Sequence, residues 1–279
     1  MKQNKMSNTI IFIFLVILTV LFISPIFFVL MNSFKNKLYI SDQPFALPVK
    51  ELSAGLTNYI QGIEKTGFFM AFGWSTFITV FSVIAIILFT SMTAWYIVRS
   101  KNKLANVLYF MFVFSMIVPF QMIMFTMAKL ADMLYLNNPV GMIVLYLGFG
   151  AGLSVFMFTG FIKGIPIEIE EAALIDGCSP LKTFFVIVFP ILKPTAITVA
   201  ILNAMWIWND YLLPYLVIGI STDYKTIPVV VQYLMGSYGA KDYGSLMALL
   251  ILSIIPVVIF YLACQKHIIK GVVAGAVKG

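Results

Sequence analysis

The 279-residue chain is 61% hydrophobic and 10% charged, with a mean hydropathy of +1.01 and a net charge of +7. That composition excludes an ordinary soluble domain, because it holds more apolar surface than an aqueous globule can bury. The positive charge does not point to nucleic acid, since the lysines lie in loops between apolar runs and not on one amphipathic face.

Taken in order, Lys2 and Lys5 precede an apolar run over 9–31, long enough for a bilayer, which needs about 20 residues. A secretory h-region is only about 7–15 residues, so this run reads as an uncleaved first span. The interval 33–66, with Pro44, Pro48 and Lys50, reads as an external loop. A second span is expected over 69–98, followed by the basic patch Arg99, Lys101, Lys103. A third is expected over 104–127, interrupted by Pro119, and a fourth over 140–161 after the turn Asn137-Asn138-Pro139. The fifth and sixth spans are expected over 195–218 and 245–264, separated by an external loop that carries Gly236 and Gly239. The result is one all-α membrane domain over 1–279 with six transmembrane helices.

The basic residues orient it. With the N-terminus inside, the inner segments hold eleven Lys and Arg, and the outer ones hold Lys35, Lys37, Lys50, Lys65, Lys129, Lys225 and Lys241. That bias predicts both termini in the cytoplasm. Cys178 and Cys264 then lie on the reducing side, and give no disulfide framework.

The segment 164–193 falls between spans four and five, on the cytoplasmic face. Pro166 fits a first helical turn, and Glu168, Glu170 and Glu171 oppose the positive end of the dipole. Gly177 falls where a left-handed cap belongs, and Ser179-Pro180 reads as N-cap and N1 of a second helix. A helix over 166–176 would be a rod of roughly 16 Å, with Ile169, Ala172, Ala173 and Asp176 on one thin face. Such a rod suits a groove in another protein. The plainer reading of Glu171 is a solvated carboxylate that caps a loop helix.

No catalytic residue, cofactor-binding motif or metal site is expected. There is no GxxxxGK[ST] loop; the sole histidine, His267, excludes a multi-histidine metal site, and from its place in the basic tail it assembles no convincing Ser/His/Asp set. ATP-driven transport would therefore need its ATPase on another polypeptide. Asn203, Trp206, Asn209 and Asp210 lie within the fifth expected span. They read either as an outer aromatic belt with polar headgroup contacts or as the lining of a translocation path, where flat rings and amides suit a sugar. Met111, Met116, Met122, Met124 and Met127 read as adaptable packing, and Gly148, Gly150, Gly152 and Gly160 as points of close helix approach.

Glu171-Ala172-Ala173, with Gly177 at its offset and Ile187 to Pro190 after it, resembles the EAA motif of ABC importer permeases. Trp208-Asn209-Asp210, Pro119-Phe120-Gln121 and the ending Ala274 to Gly279 are similar to carbohydrate permeases of the maltose type, and the likeness covers nearly the whole chain. Phe189 and Cys178 stand where that family often has Leu and Ala. The resemblance implies a type I importer fold in a bacterial cytoplasmic membrane and a carbohydrate as solute. It implies that Glu171, Ala172, Ala173, Asp176, Gly177 and Pro190 couple to an ATPase. Its implied partners are a second homologous permease subunit, two ATP-binding subunits and an extracytoplasmic sugar-binding protein. Gly236, Ser237, Tyr238 and Gly239 would face that binding protein, and the tail would approach the ATPase. An ABC permease for another solute and an ion-coupled secondary transporter are the alternatives; the second would need an intramembrane ion site, for which Asp210 alone offers a carboxylate.

Overall fold

Two of the six apolar runs fold as bent helix pairs, and the bends decide where polar groups sit. The computed structural model describes residues 5–276 apart from 101, 221 and 236–241, with side chains described from 8 to 266. Every named element among them is helical: α1 (Lys5–Ser33), α2 (Lys37–Asp42), α3 (Thr57–Thr66), α4 (Phe68–Ser100), α5 (Lys103–Ser115), α6 (Phe120–Met133) and α7 (Pro139–Ile162). There follow α8 (Glu168–Ile175), α9 (Pro180–Thr183), α10 (Phe189–Ile191), α11 (Lys193–Asn209), α12 (Leu212–Pro214), α13 (Ile227–Tyr233) and α14 (Tyr243–Ala276). Among the described residues, α1, α4, α7 and α14 are long and apolar enough to cross a membrane. The count reaches six when α5–α6 and the Pro180–Ile191 and Lys193–Asn209 pair each make one span.

The third and fifth expected spans each hold more than one helix. In the run 104–127, expected to be interrupted by Pro119, α5 and α6 meet at 106°. Pro119 explains it, because the residue before a proline is pushed out of the α region and Pro119 itself (ψ 134°) begins the next helix. The run 195–218 stops at Asn209, with Asp210 extended (ψ 122°). A helix carried through to Pro214 would drive its ring into the Asp210 carbonyl four residues earlier. Pro190 and Pro194 similarly bracket the 76° bend near Leu192.

The chain groups into two compact units. The first holds the N-terminal helices to Phe69 together with Val230–Val257. Here a short polar lobe is pinned by buried donors. Lys35 is fully buried, and its Nζ donates to the carbonyls of Gln43 (2.6 Å) and Pro44 (3.1 Å). Burial without a carboxylate lowers its pKa. The Asn58 amide donates to the carbonyls of Ser33 and Lys35, and Gly244 lies so close that a Cβ there would clash with Asn58 Oδ1. Asp242 caps α14 and accepts from Lys65 and Lys37.

The second unit holds Met70–Val229 and the segment from Val258 onward. Its core joins Ile78, Ile86 and Ala94 of α4 to Tyr146, Val155 and Phe158 of α7 and to Phe184, Val188 and Val199. Gly150 and Gly152, two of the five α7 glycines, set the spacing. A Cβ on Gly150 would meet Ile86 Cδ1 at 2.6 Å and Asn203 Oδ1 at 2.7 Å, and one on Gly152 would meet the Phe112 carbonyl at 2.8 Å. Gly148 and Gly160 have nothing within 4 Å, so the expectation of close approach is corrected for those two.

Candidate functional site

The segment after α7 is built by its punctuation. The helix begins at Glu168, two residues later than Pro166, which shortens the rod to about 12 Å at 1.5 Å per residue. It ends on Asp176 with Gly177 at φ +80°. The Cys178 amide reaches the Ala173 carbonyl (2.9 Å) and the Gly177 amide the Leu174 carbonyl (3.1 Å), the paired bonds of a Schellman cap. Ser179 then caps α9, its Oγ accepting from the Lys182 amide, with Pro180 as first residue.

The three glutamates divide. Glu168 and Glu171 are exposed, whereas Glu170 is buried. Its Oε1 accepts from Arg99 Nε (3.0 Å) and Nη2 (2.8 Å), and its Oε2 accepts from Trp95 Nε1 (2.8 Å). Arg99 Nη2 also donates to the Ile165 carbonyl (3.1 Å). Trp95 and Arg99 are four residues apart, hence on one face of α4. The Trp95 ring packs on Phe184, centroids 5.4 Å apart, and Phe184 packs on Phe189 at 5.9 Å. The end of α4 thus grips both halves of the segment.

The proposed thin face is corrected in one member. Ala173 is buried beside Glu170 in the helical spacing i, i+3, while Ile169, Ala172 and Asp176 remain outward with Glu171. Pro190 is exposed. The outward surface of α8 is mixed: acidic at Glu168, Glu171 and Asp176, apolar at Leu174 and at Ile175, which is 86% exposed.

A second polar cluster forms at the Asp210 break. Tyr146, fully buried, donates its hydroxyl to Asp210 Oδ2 (3.0 Å), and the Leu212 amide donates to Oδ1 (3.1 Å). The Tyr146 and Trp206 rings meet edge to face at 5.5 Å. Trp206 and Asn209 are exposed, and the Asn209 amide nitrogen turns back to the Met205 carbonyl (2.7 Å). Trp208 packs edge-on against Phe72 at 5.8 Å, and Tyr211 stacks on Tyr215 at 5.1 Å. Asn203 does not join this surface. It is buried, donating to Ser154 Oγ (3.3 Å) and the Val199 carbonyl (2.9 Å).

Gly236, Ser237, Tyr238 and Gly239 lie outside the described residues, as do the side chains of the tail. The described residues hold no cluster of His, Cys, Asp or Glu able to bind a metal. Trp95 and Tyr146 were not singled out by the sequence, and Arg99 and Glu170 only as members of a basic patch and an acidic first turn. The available signal was slight: a Trp and an Arg at i, i+4 on one helix, and a Glu-Glu pair of which only one can face outward.

Residues 86–273 match the family described as binding-protein-dependent transport system inner membrane component. The chain is 41% identical over 263 residues to the "Probable starch degradation products transport system permease protein AmyC" of Thermoanaerobacterium thermosulfurigenes, covering 94% of each. It is 36% identical over 280 residues to the multiple sugar-binding transport system permease protein MsmG of Streptococcus mutans, covering 99% of each. Its fold matches a chain of a bacterial ABC transporter involved in the import of the acidic polysaccharide alginate, with a TM-score of 0.79 at 20% identity, over 95% of this chain and 98% of that one. The all-helical build, the apolar spans and the match over two thirds of the sequence agree, and the chain belongs to the inner membrane components of binding-protein-dependent transport systems, as a permease subunit of an ABC importer.

Proposed function

We propose that this permease carries an oligosaccharide across a bacterial cytoplasmic membrane, by alternating access driven by ATP hydrolysis in separate subunits. The observation that carries this reading is near-full-length similarity to permeases named for starch degradation products and for multiple sugars. The chain crosses six times, with both ends in the cytoplasm, beside a second homologous permease, two ATP-binding subunits and an external sugar-binding protein. Glu171, Ala172, Asp176 and the exposed Ile175 of α8 dock in the ATPase; Ala173 and Gly177 keep the helix seated and reversed. A rigid rod set in that groove passes closure of the ATPases to the spans it joins, a change between two discrete arrangements. Trp206, Asn209 and Asp210 line the solute path, where rings stack on C–H faces and amides meet hydroxyls. Asn203 holds that wall from behind. Residues 236–239 meet the sugar-binding protein.

Two measurements test it. Purified from native membranes, the chain brings an ATPase with it, and Glu171→Lys combined with Gly177→Asp loses that subunit. Cells lacking the chain lose uptake of labelled maltotriose or raffinose. Unimpaired uptake of both would move the solute to another class.

A further inference from the structure

Three helices run from the coupling segment to the Asp210 break. Two are joined to the segment: α7, through 163–167, carries Tyr146 against Asp210, and α11 leaves it at Lys193 and ends at Asn209. The third is α4, which has no direct covalent link to the segment and is 33 residues long with no proline inside it. At one end it holds the segment through Trp95 and Arg99 on Glu170, and through the Trp95 ring on Phe184. Toward its other end, Phe72 packs on Trp208 beside Asn209, and Ser75 Oγ accepts the Ile227 amide of α13 (2.8 Å). From Trp95 to Phe72 the helix spans about 35 Å at 1.5 Å per residue.

We propose that, beside the two helices joined to the segment, α4 is a second, non-covalent arm of the linkage, with Arg99 and Trp95 as positioning residues that carry motion of the coupling segment to Trp208 and the solute path. The inference rests on the coupling role proposed for α8. Its physical basis is that both oxygens of a buried carboxylate are taken by one helix face. If α8 moves while α4 stays, Glu170 and the Arg99 charge must part inside the protein, which is far costlier than moving together. Glu170 therefore faces the permease and Glu171 faces the ATPase, and adjacent glutamates serve the two sides of the joint. The other contacts to Phe184 and to the Ile165 carbonyl keep the joint from pivoting about a single bond.

The test uses the assembled importer from native membranes, with Cys178→Ser, Cys264→Ser and Asn209→Cys as the parent. The rate at which a water-soluble maleimide labels position 209 is read with and without ATP plus vanadate. In the parent, nucleotide trapping changes the rate about fivefold or more, the scale of ordinary coupling between sites. Arg99→Ala lowers that change to less than about twofold while the ATPase still co-purifies and hydrolyses ATP. Arg99→Lys restores part of it. Trp95→Phe, which keeps the ring on Phe184 and loses only the N–H, falls between parent and Arg99→Ala. A full parental response in Arg99→Ala overturns the second arm; if that variant does not assemble, a full response in Trp95→Phe does so. Absence of any ATPase from the parent preparation is a separate result, and overturns the coupling role of α8 on which the arm depends.

Discussion

Glu170 and Glu171 are neighbours with opposite environments, and substitution should separate them sharply. Glu170→Gln leaves Arg99 charged and largely enclosed without its partner, at a cost of roughly 3–5 kcal/mol when a buried pair is broken. Glu171→Gln, on the exposed side, should shift stability by less than about 0.5 kcal/mol. Thermal unfolding of the purified chain in detergent compares the two, and equal losses would mean that the pair does not hold α8. The glycines offer a second contrast. Gly177 has open space around its missing Cβ but sits at φ +80°, so Gly177→Ala costs about 1–2 kcal/mol through backbone conformation alone. Gly150→Ala meets Ile86 and Asn203 within 2.7 Å and should destabilise by about 1–3 kcal/mol from overpacking. Gly148→Ala, in the same helix with nothing near, should instead be neutral or stabilising by up to about 1 kcal/mol. The same melting experiment ranks all three.

Among elements, the membrane-grade helices were legible because length and apolarity suffice to find them. The expected 69–98 and 140–161 became α4 and α7 within two residues at each end. The caps at Gly177 and Ser179 were legible for a local reason: positive φ and N-cap geometry each select few residue types. The interruption at Pro119 was legible, but the angles of the bent pairs and the bend near Leu192 were not, since hydropathy averages across a proline while the backbone cannot. Pro214 acts on Asp210, four residues back, and so turned a candidate intramembrane carboxylate into a helix terminus held by Tyr146. The face of α8 was misjudged at Ala173, because spacing gives the stripes of a helix but not which stripe a neighbour covers. That neighbour is α4, some seventy residues away in sequence. In the polar lobe, Asp242 makes a prediction of its own. Burial tends to raise its pKa, but bonds from Lys65 and Ser245 and the charge of Lys37 outweigh this and hold it at about 2. A carboxylate depressed on folding stabilises above its unfolded pKa of about 3.9 and loses that contribution as pH falls toward 2. Asp242→Asn, which keeps a capping oxygen, should therefore cost about 1 kcal/mol near neutrality, from the two lost ion pairs. The difference from wild type should fade as pH falls from about 4 through about 2. Protease cleavage of the segment 34–56, followed across pH in both forms, measures it.

At the scale of the whole molecule, the six-span count depends on bends that place non-helical backbone within apolar stretches. Such backbone persists only where protein or a cavity satisfies its polar groups. The Asp210 break meets that requirement with its own side chain, which accepts the Leu212 amide. Family, fold and membrane location thus rest on features spread along the chain, whereas the proposed coupling and solute contacts rest on a few side chains. This difference explains why the former could be read from sequence, while the burial and partners of those side chains could not.

α1 stands apart from every other long helix. None of its most apolar window is buried within the chain, and Ile10 to Phe27 is exposed at residue after residue. Its candidate span Asn8–Ser33 is about 39 Å long, against a hydrocarbon core of about 30 Å. With no packing inside its own chain to fix its angle, membrane thickness becomes a variable acting on this helix by tilt. α4 is longer still, but Glu170, Phe184 and Trp208 hold it at both ends. In vesicles of increasing acyl-chain length, a probe on α1 should report a progressively more upright helix, and one on α4 an unchanged inclination.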